Sequence, residues 1–472
     1  MKKLFLSAAA LMCGAVLFAQ VNTSDVNQLG NDNGSSVFQK GETNNSDVDQ
    51  FGDENMSFVE QHGNTNFSIV DQIGDLNKSD VDQHGNSNEA YTGQMGEGNE
   101  SFVEQHGREN FAFINQGYYN GDIGNYNFSD VFQHGKYNRS TVWQNWTAND
   151  NDSYVIQDGE YNISYVQQDG DGNFNRVEQD GDENNSEVYQ KGNYNDSEVY
   201  QIGLANFSDV DQLGNYNDSK VSQDGWENNS IVKQDGWYND SEVMQIGWWN
   251  NSDVFQLGMG NDSYVDQDGW GNDSDVDQFG PMNSSDVYQV GELNDSKVYQ
   301  VGAMMGNISE VHQNGELNNS DVYQIGMLNN SKVDQVGLEN NSDVDQHGML
   351  NGSIVDQNGW ENNSKVHQDG MGNISEVKQD GEWNNSDVYQ LGMGNDSYVD
   401  QNSWGNDSDV DQDGMFNTSD VYQNGTLNIS KVSQFGLGNG STVDQTGFEH
   451  NSIVLQVGAG NMSTVTQKDC DN

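Results

Sequence analysis

The chain is 472 residues long, 32 % hydrophobic, with 54 glycines, one proline and a formal net charge of −58. That charge excludes nucleic acid as a partner, because binding it needs a basic surface. Two cysteines are too few for a disulfide framework. Low hydrophobicity at high charge ordinarily means disorder, but a strict register along the sequence argues for a repeat fold.

In chain order, residues 1–19 read as a secretory signal peptide. Lys2 and Lys3 precede an apolar run from Leu4 to Phe18, and Ala19 suits a cut before Gln20. The run is too short and wrongly flanked for an anchor, and no other segment is long enough to span a membrane. Cleavage would remove two lysines and leave a net charge of −60. From residue 20 to 467 the tract Asn-x-Ser-x-Val-x-Gln-x-Gly-x-x recurs in forty units of eleven residues, beginning at Asn22. It reads at Asn55, Ser57, Val59, Gln61 and Gly63, then at Asn66, Ser68, Val70, Gln72 and Gly74. Residues 468–472 form a C-terminal tail, where Cys470 has no partner in the cleaved chain and could pair only between chains.

Within a unit the recurring residues sit two apart, so they share one face of a β-strand. The residues between them (Met56, Phe58 and Glu60, or Lys78, Asp80 and Asp82) vary and are mostly polar, as an outer face should be. A strand of about seven residues and a turn of about four are expected, with Gly63 and Gly74 supplying positive φ to the turn. The extra residues after Gln116, Gln144 and Gln300 fall in turns, as does Pro281.

A unit this short cannot bury a face alone, so units must stack. The residues after successive early glutamines are Leu29, Lys40, Phe51, His62, Ile73, His84, Met95 and His106, apolar and basic in alternation. Two outer environments alternate, which makes one coil two strands and 22 residues. The expected fold is all-β: a two-strand-per-coil β-solenoid of twenty coils, a rod about 95 Å long at about 4.8 Å per coil. Asn, Ser, Val and Gln should then stack on their own kind as inward ladders, the amides donating to one rung and accepting from the other, as in a steric zipper. Asn-x-Ser matches a glycosylation acceptor, but the repeat generates it and its Asn points inward.

The spacing Gln50…Asn55…Gln61, with glycine two past each Gln, resembles the curlin repeat from the first complete unit to the last. That resemblance implies a secreted β-solenoid subunit of functional-amyloid type. It implies curli-like fibres in a bacterial biofilm matrix, growing head to tail by self-association and contributing to adhesion. It also implies a nucleator subunit and an outer-membrane export pore as partners. Curlin repeats pair a Ser-led with an Asn-led strand, whereas both strands of each coil here are Asn-led.

No catalytic, cofactor-binding or metal-ligating set stands out. The eight histidines occupy variable positions, mostly beside a repeat Gln, and none lies in a cleft-forming insertion. An enzyme is not expected. Paired outer acids such as Asp47/Asp49, Asp80/Asp82, Asp275/Asp277 and Asp409/Asp411 suggest a solubilising face with diffuse, non-site Ca²⁺ binding. Turn tryptophans (Trp226, Trp237, Trp248, Trp270, Trp360, Trp404) and outer tyrosines (Tyr189, Tyr200, Tyr288, Tyr299, Tyr389) suit either bundling or local packing over the arcs. A second function class is a monomeric, surface-displayed solenoid acting as an adhesin or cation-binding rod. Terminal units that look like the middle ones, together with the Gln and Asn ladders, favour the fibre.

Overall fold

The computed structural model describes residues 21–117, 124–145 and 148–469, so the signal segment and Cys470 lie outside the described residues. Within them the chain is all-β, with forty strands, one per repeat unit, and no helix. The chain divides into two compact units, Met1–Asp169 and Gly170–Asn472. The first runs from β1 (Thr23–Leu29) to β13 (Ile163–Asp169), the second from β14 (Phe174–Asp182) to β40 (Met462–Lys468).

Both units are parallel β-solenoids with two strands per coil, as the alternating outer columns require. Each strand pairs not with its chain neighbour but with the strand two on. Thus β4 (Met56–Asn64) pairs β6 (Lys78–Asn86), with Ser57 on Ser79, Val59 on Val81, Gln61 on Gln83 and Gly63 on Gly85. Across the arc, β5 (Phe67–Asp75) pairs β7 (Glu89–Glu97) in the second sheet, with Gln72 on Gln94. Odd strands make one sheet and even strands the other, in both units. The repeat valines form the apolar part of the core between the sheets, and Val48, Val70, Val81 and Val131 have no exposed surface. Branching at Cβ suits valine to this pleated, close-packed position.

The turn differs from the expected one. Most strands run nine residues and carry the repeat glycine inside them, so only Thr65 and Asn66 connect β4 to β5. The left-handed corner residue is Thr65 (φ 58°), and the equivalent position is Leu76, Ser87 or Tyr216 in other units. Gly63 and Gly74 do have positive φ (120° and 111°), but space is the tighter constraint. A Cβ at Gly63 would sit 1.8 Å from the Gly85 carbonyl oxygen of the next coil, and one at Gly74 2.1 Å from that of Gly96. Pro281 is likewise the last residue of its strand, Asp273–Pro281, and not part of an arc. The insertion after Gln300 lies between strands, at residues 303–307. Those after Gln116 and Gln144 fall partly outside the described residues.

Candidate assembly interface

Gln61 and Gln72 are fully buried, and most glutamines of the repeat do the same two things. Gln61 Nε2 donates to Gln83 Oε1 of the next coil at 2.8 Å and to the Asn45 carbonyl oxygen on the facing strand at 3.1 Å. Gln72 does likewise to Gln94 Oε1 (2.8 Å) and the Met56 carbonyl (2.9 Å). One amide thus links successive coils and ties the two sheets together. A buried amide left unpaired would cost about 1–3 kcal/mol, which the repeat avoids by stacking like on like.

Asn55 and Asn66 are also fully buried, and many repeat asparagines form the expected side-chain ladder, as Asn77 Nδ2 does to Asn55 Oδ1 at 3.1 Å, while bonding the backbone as well. Asn55 Oδ1 accepts the backbone N–H of Asn77 in the next coil at 3.0 Å, and its Nδ2 donates to the Gly74 carbonyl at 2.6 Å. Asn66 donates to the Gly85 carbonyl at 3.1 Å and accepts from the Asn88 N–H at 3.1 Å. Asn therefore staples the arcs, satisfying backbone groups that a two-residue turn leaves open. Ser57 and Ser68 are buried too, yet only a few serines bond in register, as Ser68 does to Ser46 at 3.4 Å. Ser57 Oγ has no hydrogen-bond partner among the described residues. Serine is there for its size. Its small side chain leaves room between the sheets for the valine and glutamine columns.

The glutamine ladder has a direction. Gln28 Nε2 donates to Gln50 Oε1 and Gln39 Nε2 to Gln61 Oε1, so the first described coil turns its amide oxygens outward along the axis. In the last coil, Gln456 and Gln467 accept from Gln434 and Gln445 and turn their amide N–H groups outward.

Outer columns were legible in the sequence only as variable positions, and the structure sorts them. The residue that begins each strand forms a second, half-buried ladder in the odd sheet. There Asn319, Asn341, Asn363 and Asn385 pass amide hydrogen bonds of 2.7–2.9 Å down to Asp407. The equivalent even-sheet column carries Asp196, Asp218, Asp240 and Asp262 in direct register. Burial and the neighbouring carboxylates push Asp196 and Asp240 up to about 6. Their folded-state pKa lies above the unfolded 3.8, so ionisation above about pH 6 opposes folding and protonation relieves it. Stability should therefore rise as pH falls from 7 towards 4. Asn at all four positions should raise the pH 7 melting temperature and flatten this dependence; a pH profile as steep as the parent's, followed by circular dichroism, would contradict the assignment.

Elsewhere His62, His84 and His106 stack at 4.7 and 4.9 Å, each beside the carboxylate two residues earlier in its strand. The turn tryptophans close their strands, with Trp226, Trp237, Trp248 and Trp360 exposed and Trp226 and Trp248 stacked at 5.0 Å. Among the described residues no group of three or more His, Cys, Asp or Glu is placed to hold a metal ion.

No curated protein matches the chain. The model of the Curlin associated repeat matches at residues 30–63, 58–85, 85–117, 124–159, 198–225, 239–269, 375–402 and 438–468, together a little over half of the sequence. With both ladders and the 22-residue coil in place, this chain belongs to the curlin repeat family.

Proposed function

We propose that the protein is a secreted, self-assembling structural subunit of extracellular curli-like amyloid fibres in a bacterial biofilm matrix, contributing to adhesion and aggregation. Its family is one of curli-type amyloid subunits, a structural and not a catalytic class. The observation that carries the reading is the polarity of the glutamine ladder. Outward amide oxygens at Gln28 and Gln39 complement outward amide N–H groups at Gln456 and Gln467. Head-to-tail stacking continues the ladder, whereas head-to-head contact sets acceptor against acceptor. Open strand edges template such pairing.

A nucleator subunit and an outer-membrane export pore complete the proposed set of partners. Ca²⁺ would act on the outer acids as a diffuse counterion and not at a discrete site. The cleaved protein should form fibres whose diffraction has a meridional spacing of about 4.8 Å. Protein that stays monomeric for weeks at high concentration would favour the surface-displayed solenoid instead.

A further inference from the structure

The outer position between Ser and Val in the odd-sheet strands carries a charge pattern with its own period. It starts at Asp253 in β21 (Asn251–Met259), followed in register by Asp275 in β23 (Asp273–Pro281) and Lys297 in β25 (Asp295–Gly302). The triplet repeats as Asp321, Asp343 and Lys365 in β27 (Asn319–Met327), β29 (Asn341–Met349) and β31 (Asn363–Met371). It repeats again as Asp387, Asp409 and Lys431 in β33 (Asn385–Met393), β35 (Asp407–Met415) and β37 (Ile429–Leu437). A lysine therefore recurs every third coil, about 14 Å apart at the rung spacing of stacked strands.

Within each triplet the lysine reaches back one coil. Lys297 pairs with Asp275 at 3.2 Å, Lys365 with Asp343 at 3.2 Å and Lys431 with Asp409 at 2.5 Å. Among the described residues the leading aspartates, Asp253, Asp321 and Asp387, take part in no ion pair, and burial followed by the next carboxylate raises the pKa of each. The three lysines remain more than half exposed. The face thus repeats a free carboxylate, a paired carboxylate and a reachable ammonium.

That order is complementary to its own reversal. A two-fold axis along the strand direction, through β29, sets this column opposite itself with the coil order inverted. Each free aspartate then faces a lysine: Asp253 meets Lys431, Asp321 meets Lys365 and Asp387 meets Lys297, each contact occurring twice. A two-fold operation that keeps the solenoids parallel swaps columns and loses the match. Only 15 lysines and arginines follow residue 19, against 75 acids in the chain, so like-charged solenoids can approach only where cations meet carboxylates.

We propose that the odd-sheet face from β21 to β37 is an isologous interface through which two copies of this chain lie side by side, antiparallel, with Lys297, Lys365 and Lys431 of each facing Asp387, Asp321 and Asp253 of the other. This is lateral pairing, distinct from axial growth, although its role in bundling rests on the fibre reading.

The test is a charge swap read by the cross-sectional radius in small-angle scattering of unassembled protein and by fibre width in electron microscopy, both at about 150 mM salt. The parent should pair. The variants K297E/K365E/K431E and D253K/D321K/D387K should each remain single, and their equimolar mixture should pair again, because every substituted position then faces the opposite charge, as in the parent. The neutral set K297Q/K365Q/K431Q covers loss of fold in the reversals and should cut the paired fraction about tenfold. Pairing of either reversed variant alone, failure of the mixture, or a parallel arrangement in the pairs would overturn the proposal. Scattering on unassembled chains reports pairing without fibres, so failure of axial assembly remains distinguishable from failure of this interface.

Discussion

Glutamate in place of Gln324, Gln335, Gln346 and Gln357 together should unfold the coils that contain them and stop assembly of the full chain. All four glutamines are fully buried. Gln324 donates to Gln346 and Gln335 to Gln357, both at 2.8 Å, and each also donates to a carbonyl on the facing strand. A carboxylate accepts but cannot donate, so each exchange breaks both bonds and stacks two buried negative charges about one rung apart. Removing the partners of a buried ionic group costs about 3–5 kcal/mol, so four such sites together match or exceed the usual total of about 5–15 kcal/mol for a domain. Asparagine at the outer Asp321, Asp343, Asp345 and Asp356 changes charge by the same amount in the opposite direction. Asp343 loses a contact to Lys365 and Asp345 its contacts to His347 and His367, partly exposed surface pairs worth about 1 kcal/mol each. That variant should fold, keep its amide-exchange protection and assemble faster. Equal assembly kinetics for the two sets, followed by dye binding and hydrogen exchange, would refute the placement of Gln in the core.

The second large effect belongs to the glycine column. At Gly348 φ is 112°, and a Cβ would lie 1.9 Å from the Gly370 carbonyl oxygen of the next coil. Valine there must push a backbone away, with no flexible side chain to yield, and β33 and the coils beyond depend on that register. A loss above about 3 kcal/mol is expected, since positive φ alone costs a non-glycine residue about 1–2 kcal/mol. Gly352, four residues on, has nothing within 4 Å of its Cβ position and no positive φ, so alanine there should be neutral or stabilising. Ser403 is a natural exception in this column, held at φ 94° between Gly381 and Gly425. Glycine at 403 should therefore raise stability by about 1 kcal/mol. Thermal melts of the three variants check the order; a Gly348→Val protein as stable as Gly352→Ala would contradict the close approach of the coils.

The sequence by itself determined the strand face, the coil length and the buried set. Residues two apart can share a face only on a strand, and outer neighbours that alternate between apolar Leu29 and basic Lys40 can do so only with two environments per coil. The inward roles of Gln61 and Val59 depend on the identity of the residue stacked above, which a repeat states directly, whereas Gly63, expected in a turn, lies inside β4. What Asn55 and Ser57 do was decided only by the tertiary structure. An amide in a sharp arc reaches backbone groups as well as the next amide, and a hydroxyl on a short side chain only occasionally spans a rung, as from Ser68 to Ser46, while Ser57 finds no partner among the described residues. The left-handed residue at Thr65 has no signature in the sequence, because nearly any side chain is tolerated there, pointing to solvent at a position that carries no fixed residue type. The column from Asp253 to Lys431 was spelled out in the sequence all along, but its residues lie 22 or 24 apart and alternate with those of the other sheet. Only the pairing of strands places them in one line, and only side-chain reach decides that each lysine takes the carboxylate behind it and leaves the one ahead free.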